Sequence, residues 1–351
     1  MAIAFELKRG LALAALALLR TVFRFTGVGL LDLFFGYRVI LLRNPDADGW
    51  VHYVAAMRRG ELSLEGLSNA LLTSEEFQLG RGTPGEHVDY ERRPFEEEVV
   101  AAHGCSLVID RNDLVIGRAI RDGIYEPAAV SLVRRLVRPG QVVADVGANV
   151  GFFTILAARC VGPTGRVLAF EPIEHNRALL ERSLALNELT NVALFPLALG
   201  ERNGEAELIQ WERRNSGSFH LLRDGRRWEG ARYRVPVRRF DDVFRGERLD
   251  FVKIDVEGAE GLVLDGMQQA IERFRPTLLF EYSPAAIADI SRRAGVELLE
   301  GLALLGYELF EIDEYLRGRG PKAGRRLARA VRRRGRNHVD LVAISGSAGR
   351  R

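Results

Sequence analysis

The sequence predicts an α/β protein built on a doubly wound, mostly parallel sheet, preceded by a helical segment. Three observations carry this. From about residue 95, short apolar runs alternate with helix-length amphipathic runs, the pattern of strands joined by crossover helices. Four of those strands end in an acid (Asp145, Glu171, Asp255, Glu281), which places four carboxylates along one sheet edge. The first strand also runs into a glycine-containing turn, Asp145-Val146-Gly147-Ala148-Asn149-Val150-Gly151. Such sheets bind ligands at the carboxyl ends of their strands.

Each element follows from its residues. Residues 142–146 form an apolar strand, 152–161 a helix, 167–170 a second strand and 174–189 a second helix. Residues 192–199 read as a third strand and 251–254 as a fourth, with a single helix over 260–274 and a fifth strand over 277–280. A last helix at 298–305 and strands at 307–312 and 339–344 complete the sheet. The insertion at 201–245 holds a hairpin between 205–211 and 232–237, with a polar loop, Asn215 to His220, between its arms. A long polar loop near a carboxyl edge is suited to recognising a substrate. His220 is a candidate base there, against the plain reading of a solvated loop histidine.

Upstream, residues 1–80 read as a helical region, 81–94 as a Gly- and Pro-containing linker and 95–351 as the α/β domain. The apolar run 11–19 lies behind Lys8 and Arg9 but has only nine residues, against the roughly 20 that span a bilayer. Residues 5–42 are therefore expected as amphipathic or buried helices, and contact with a membrane surface is the second reading. Residues 44–78, with Asn44-Pro45-Asp46-Ala47-Asp48-Gly49-Trp50 and a closing Ser74-Glu75-Glu76-Phe77, resemble a small bacterial helical domain of unknown function.

The 351 residues are 47% apolar and 28% charged, enough for a sizeable core. Two cysteines exclude a disulfide scaffold and a four-cysteine zinc site. The net charge is +3, yet residues 317–336 hold ten basic side chains and no acid, so the remainder carries −7. This local basic stretch reads either as a solvated loop or as a contact for an anionic substrate, membrane or RNA.

The first turn lacks the Gly-x-Gly-x-x-Gly spacing of a dinucleotide site, so nothing supplies close approach to a pyrophosphate. Glu171, 26 residues after Asp145, is placed to accept hydrogen bonds from two vicinal ribose hydroxyls. A nucleoside cofactor without a phosphate fits both facts. The motifs Asp145 to Thr154, Ala169-Phe170-Glu171-Pro172 and Lys253-Ile254-Asp255-Val256-Glu257-Gly258-Ala259-Glu260 together resemble the FkbM-type S-adenosylmethionine-dependent methyltransferases. Tyr125-Glu126-Pro127, Asn187, Ala198-Leu199-Gly200, Ser216, Ser218, Phe240-Asp241 and Gly266 add to the likeness, which spans about residues 110–312.

The resemblance implies a Rossmann-like methyltransferase sheet with S-adenosylmethionine as cofactor. It implies that Asp145, Gly147, Ala148, Asn149 and Gly151 form the turn beneath the cofactor. Glu171 would hold the ribose, Pro172 shape that turn, Ala198 face the adenine and Glu126 reach the amino acid end. On the acceptor side it points to Asp255, with Glu257 and Lys253, as the catalytic group. One of these acids could act as base, or several with Glu260 could hold a divalent metal such as Mg²⁺. Glu260 also suits a plain helix N-terminus. The expected reaction is O-methyl transfer to a hydroxyl of a sugar, glycan or secondary metabolite, by a cytoplasmic protein with peripheral membrane contact as the second reading. The alternatives are an RNA methyltransferase, supported only by the arginine-rich stretch, and a non-catalytic partner in a glycan-assembly complex.

Overall fold

The computed structural model describes residues 96–210, 215–222, 231–333 and 338–346. The chain divides into two units at residues 93 and 94, and the described residues belong to the second, Pro94–Arg351. The expected N-terminal helices, the helical-domain likeness at 44–78 and the whole of the linker at 81–94 lie outside the described residues.

The central sheet has seven strands. In chain order they are β3 (Val142–Val146), β4 (Arg166–Phe170), β5 (Val192–Phe195), β10 (Phe251–Ile254), β11 (Thr277–Tyr282), β12 (Tyr307–Glu311) and β13 (Val339–Ser345). Their spatial order is β12-β13-β11-β10-β3-β4-β5. The five strands from β11 to β5 run parallel, while β13 lies antiparallel between β11 and β12. The chain leaves β3 toward β4 and β5, then returns to β10 on the other side. That reversal opens a crevice at the carboxyl ends of β3 and β10, the place where such sheets take ligands.

Helices cover both faces because the central strands are apolar on both sides. One face packs α2 (Pro127–Leu136) and α3 (Phe152–Val161) with the hairpin of β1 (Glu97–Ala102) and β2 (Cys105–Asp110). That hairpin is not apparent in the residue pattern. Its two-residue turn, His103-Gly104, has φ of 50° and 79°, and its amides dock on α4 (Glu174–Leu186) through Ser183 Oγ and Asn187 Oδ1. The other face buries α6 (Glu260–Gly266), α7 (Gln268–Phe274) and α9 (Gly295–Leu304).

Four expected elements differ. The strand expected over 192–199 breaks at Pro196, which has no N–H for the ladder; Ala198–Leu199 becomes β6 of a second sheet. The helix expected over 260–274 divides at Met267, whose fully buried side chain accompanies non-helical angles (φ −124°, ψ 22°). The helix expected over 174–189 ends at Leu186. The strand expected to stop at Phe280 continues through Glu281 to Tyr282, so Glu281 lies within the ladder opposite Asp340.

The insertion holds more than a hairpin. β7 (Gly204–Gln210) and β9 (Arg232–Arg238) pair antiparallel, flanked by β8 (Phe219–Leu221) and β6 in the order β6-β9-β7-β8. The basic stretch is not a simple loop either. Residues 324–333 form α11 (Gly324–Arg333), held by buried Leu327 and Val331 against the α9 side of the core, with Arg325, Arg326 and Arg329 outward. Arginines at a 3–4-residue spacing around apolar anchors make an amphipathic helix. Among the described residues no helix is long and apolar enough to cross a membrane.

Candidate functional site

The turn after β3 is shaped by two glycines that no other residue could replace without rearrangement. Gly147 (φ 83°) has the Asp255 carbonyl oxygen where a Cβ would stand, 1.9 Å away, so it lets the β3 and β10 turns pass each other. Gly151 (φ 91°) starts α3 and meets Leu180 as closely. Between them Ala148 is buried and Asn149 takes a left-handed conformation at φ 50°. The amides of Gly147 and Ala148 both donate to the Phe170 carbonyl at 3.0 Å, tying the turn to the end of β4. Asp145, on β3, accepts from Thr154 Oγ1 at 2.6 Å through Oδ2; its Oδ1 has no partner among the described residues.

Glu171 follows β4 and is buried. Its carboxylate bridges two turns, accepting from Asn149 N at 2.8 Å and from Ile173 N at 2.9 Å. Burial pushes its pKa to about 7, against the opposing pull of those two backbone bonds. Each oxygen keeps a lone pair for another donor. Pro172 follows directly and lines the same cavity.

Lys253 stands next to Asp145 in the sheet register and is buried. Its Nζ donates to Asp255 Oδ2 at 2.8 Å and sits 4.7 Å from the centre of the Phe153 ring. Burial disfavours its charge, but the carboxylates of Asp255, Glu126 and Asp145 outweigh that and hold it above the ordinary lysine value. Glu126 precedes α2 in a left-handed conformation. Burial raises its pKa to about 8, opposed by Lys253 and reinforced by Asp255. Burial and the neighbouring Asp255 and Glu260 likewise push Glu257 to about 8.

Glu260 accepts through Oε1 from the amides of Val256 and Gly258, both at 3.2 Å, while its Oε2 is buried with no partner among the described residues. This is the helix-start role. Among the described residues no group of three or more His, Cys, Asp or Glu side chains is arranged to hold a metal ion.

A cavity of about 940 Å³ joins these pieces. All of Glu126, Asp145, Gly147, Ala148, Asn149, Glu171, Pro172, Ala198, Lys253, Asp255 and Glu257 line it; Gly151 stands behind the turn. His220 does not line it although Phe219 and Leu221 do, as the alternation of side chains along β8 dictates. Sequence reasoning missed His338 and Asn176, which both line the cavity. His338 reaches the carboxyl edge because β13 runs antiparallel and starts there, and its Nδ1 is 3.9 Å from Glu281 Oε1. Only the direction of that last strand could have signalled it.

Residues 145–323, about half of the chain, match the profile of the methyltransferase FkbM domain. AMB antimetabolite synthetase AmbE of Pseudomonas aeruginosa is 29% identical over 225 residues, which cover 51% of this chain and 10% of AmbE. Methyltransferase sdnD of Sordaria araneosa is 29% identical over 176 residues, covering 41% of this chain and 68% of sdnD. The 2-O-methyltransferase NoeI of Sinorhizobium fredii is 26% identical over 214 residues, covering 54% of this chain and 85% of NoeI.

Proposed function

The chain belongs to the FkbM methyltransferase family, and from that premise we propose that it moves the methyl group of S-adenosylmethionine onto a hydroxyl of a sugar, glycan or secondary metabolite. The observation that supports this most is the single cavity in which the Glu171-braced turn and the Lys253–Asp255–Glu257 group meet. The name of NoeI, a 2-O-methyltransferase, favours oxygen as the acceptor atom. The cavity suits the cofactor in size and donor set. Glu171 has lone pairs for ribose hydroxyls, and Glu126 and Asp145 offer carboxylates to an ammonium.

S-adenosylmethionine supplies a methyl group on a sulfonium, whose departure as a neutral thioether needs little help from the protein. The chain's task is to align the acceptor oxygen and take its proton. Asp255 commits Oδ2 to Lys253, which fixes the carboxylate and leaves Oδ1 for the acceptor hydroxyl. Glu257, protonated near neutral pH, can donate to a neighbouring acceptor oxygen. Pro172 and Ala198 bound the nucleoside side. Incubating the protein with methyl-labelled S-adenosylmethionine and a panel of sugars and polyols tests the reading; label appearing only on amines or thiols would overturn the oxygen assignment.

Glu171→Ala should weaken S-adenosylmethionine binding more than tenfold while the protein stays folded. Even one hydrogen bond to a charged group contributes about 1.5–3 kcal/mol. Wild-type affinity should also rise from pH 6 to pH 8.5, by up to about tenfold through Glu171 and by a larger factor through Glu126. Glu171, at about 7, and Glu126, at about 8, lose protons in that window and then attract hydroxyl and ammonium donors better. The sign follows because the ligand prefers the deprotonated form. Calorimetry at the two pH values checks this, and a flat profile would show that neither acid both titrates in that window and contacts the ligand.

A further inference from the structure

The outward side of α11 carries arginine, and the helix is fixed to the core beneath it. Leu327 and Val331 are buried under the helix. Gly324 packs so closely on α9 that a Cβ there would stand 3.0 Å from Leu299 Cβ. Arg325, Arg326 and Arg329 are exposed. Arg325 donates to Glu300 of α9, and Arg319 and Lys322, just ahead of α11, are tied to Glu311 and Glu314. Arg326 and Arg329 have no acidic partner among the described residues. Three residues apart, they are neighbours on one side of the helix.

Residues 317–336 carry ten basic side chains and no acid, on a chain whose other residues sum to −7. The attraction for anions is therefore local. Two features select the kind of anion. The face is the outside of a helix and so convex, whereas sites for small molecules are concave. The stretch also holds no aromatic residue, and single-stranded nucleic acids are held by aromatic stacking as well as by charge. A planar array of phosphate-bearing headgroups fits a convex row of guanidinium groups. The apolar side of α11 is occupied by the core, so the contact is with headgroups alone.

We propose that α11 docks the protein on an anionic phospholipid surface, with Arg326 and Arg329 against the headgroups and no part of the helix inserted. The last residue of the helix, Arg333, comes five residues before His338, which lines the cavity. At most about 18 Å of extended chain separates them. Docking through α11 thus keeps one wall of the cavity near the headgroup layer. The proposal rests on the packing and charge of α11, and it stands whether or not the cavity holds S-adenosylmethionine.

Sedimentation of the full chain with vesicles tests it, using phosphatidylcholine alone and phosphatidylcholine mixed with phosphatidylserine. The wild type should bind the mixed vesicles, bind them less as salt rises, and leave the neutral ones in the pellet without it. Each arginine at such a surface contributes about fivefold in partition, so Arg326→Gln with Arg329→Gln should weaken binding roughly 25-fold. Arg138→Gln with Arg166→Gln removes the same charge from exposed positions just before β3 and at the start of β4, and should lose far less. Thermal melts check that both double variants fold. Unchanged binding of the α11 variant overturns the proposal, and so does a wild type that ignores the mixed vesicles. An equal loss in the control pair also overturns it, since the attraction would then be a property of total charge. Filter binding of polyuridylate by a wild type that leaves the mixed vesicles alone would make the helix a nucleic-acid contact instead.

Discussion

Lys253→Met is expected to destabilise the fold by about 3–5 kcal/mol, the usual cost of removing one partner from a buried ion pair. Lys253 is the cation facing Asp255, Glu126 and Asp145, and methionine fills its space without its charge. The three acids are then left in a low-dielectric crevice with nothing to offset them. They can recover part of the loss by holding protons. Glu126 already titrates at about 8, above its unfolded value near 4.5. A carboxyl raised in this way supports the folded state most below pH 4.5, and that support is lost as pH rises through the folded value. The variant's deficit should therefore widen between pH 6 and pH 8.5. Urea unfolding at both values measures it. A variant as stable as wild type at pH 8.5 would show that the crevice gains nothing from the charge, as happens where ion pairs are replaced by packing.

Asp255→Asn is expected to lower turnover by about 10² or more, the usual contribution of a positioned base, with S-adenosylmethionine affinity changed only a few-fold. The amide keeps the shape of the side chain and can still accept from Lys253 Nζ through its oxygen. It cannot take a proton from an acceptor hydroxyl. Since Lys253 retains Asp145 and Glu126 as counter-charges, the variant should fold. Single-turnover measurement beside calorimetry separates the two quantities; near-normal turnover would make Asp255 a structural counter-ion to Lys253. Adding a chelator to the wild type distinguishes a carboxylate base from a metal-assisted route.

Much of this was legible in the residues, for a physical reason. The strand–turn–helix at 142–161 and the acids after β4 and β10 are local features, since each is fixed by neighbours within one turn or one strand end. Alternating apolar runs also specify helices on both faces of a sheet whatever the side-chain detail. The errors fell where a local pattern could be overruled by something distant. Met267 breaks an unbroken helical pattern while its side chain is buried in the core. Pro196 was visible, but that the chain beyond it would cross to a second sheet depended on β9, more than 30 residues later.

The basic stretch shows the same division. Composition counts its charges, but only the packing of Leu327 and Val331 turns residues 324–333 into a helix with a defined outer face.

By itself the sequence determined the fold class, the glycine-containing turn after β3 and the acids along the carboxyl edge, because those are set by covalent order and by the period of the side chains. Only the tertiary structure decided which of these groups touch and what charge each carries. Lys253 meets Asp145 because β10 lies beside β3 after a crossing of about a hundred residues. Glu260, readable from sequence as a helix-start acid, takes the amides of Val256 and Gly258 through one oxygen alone. His338 arrives at the cavity because the last strand is inserted antiparallel. Ser216 and Asn176 become neighbours across 40 residues of chain. Contact and burial set proton affinity and hydrogen bonding, and neither is a property of a residue's place in the sequence.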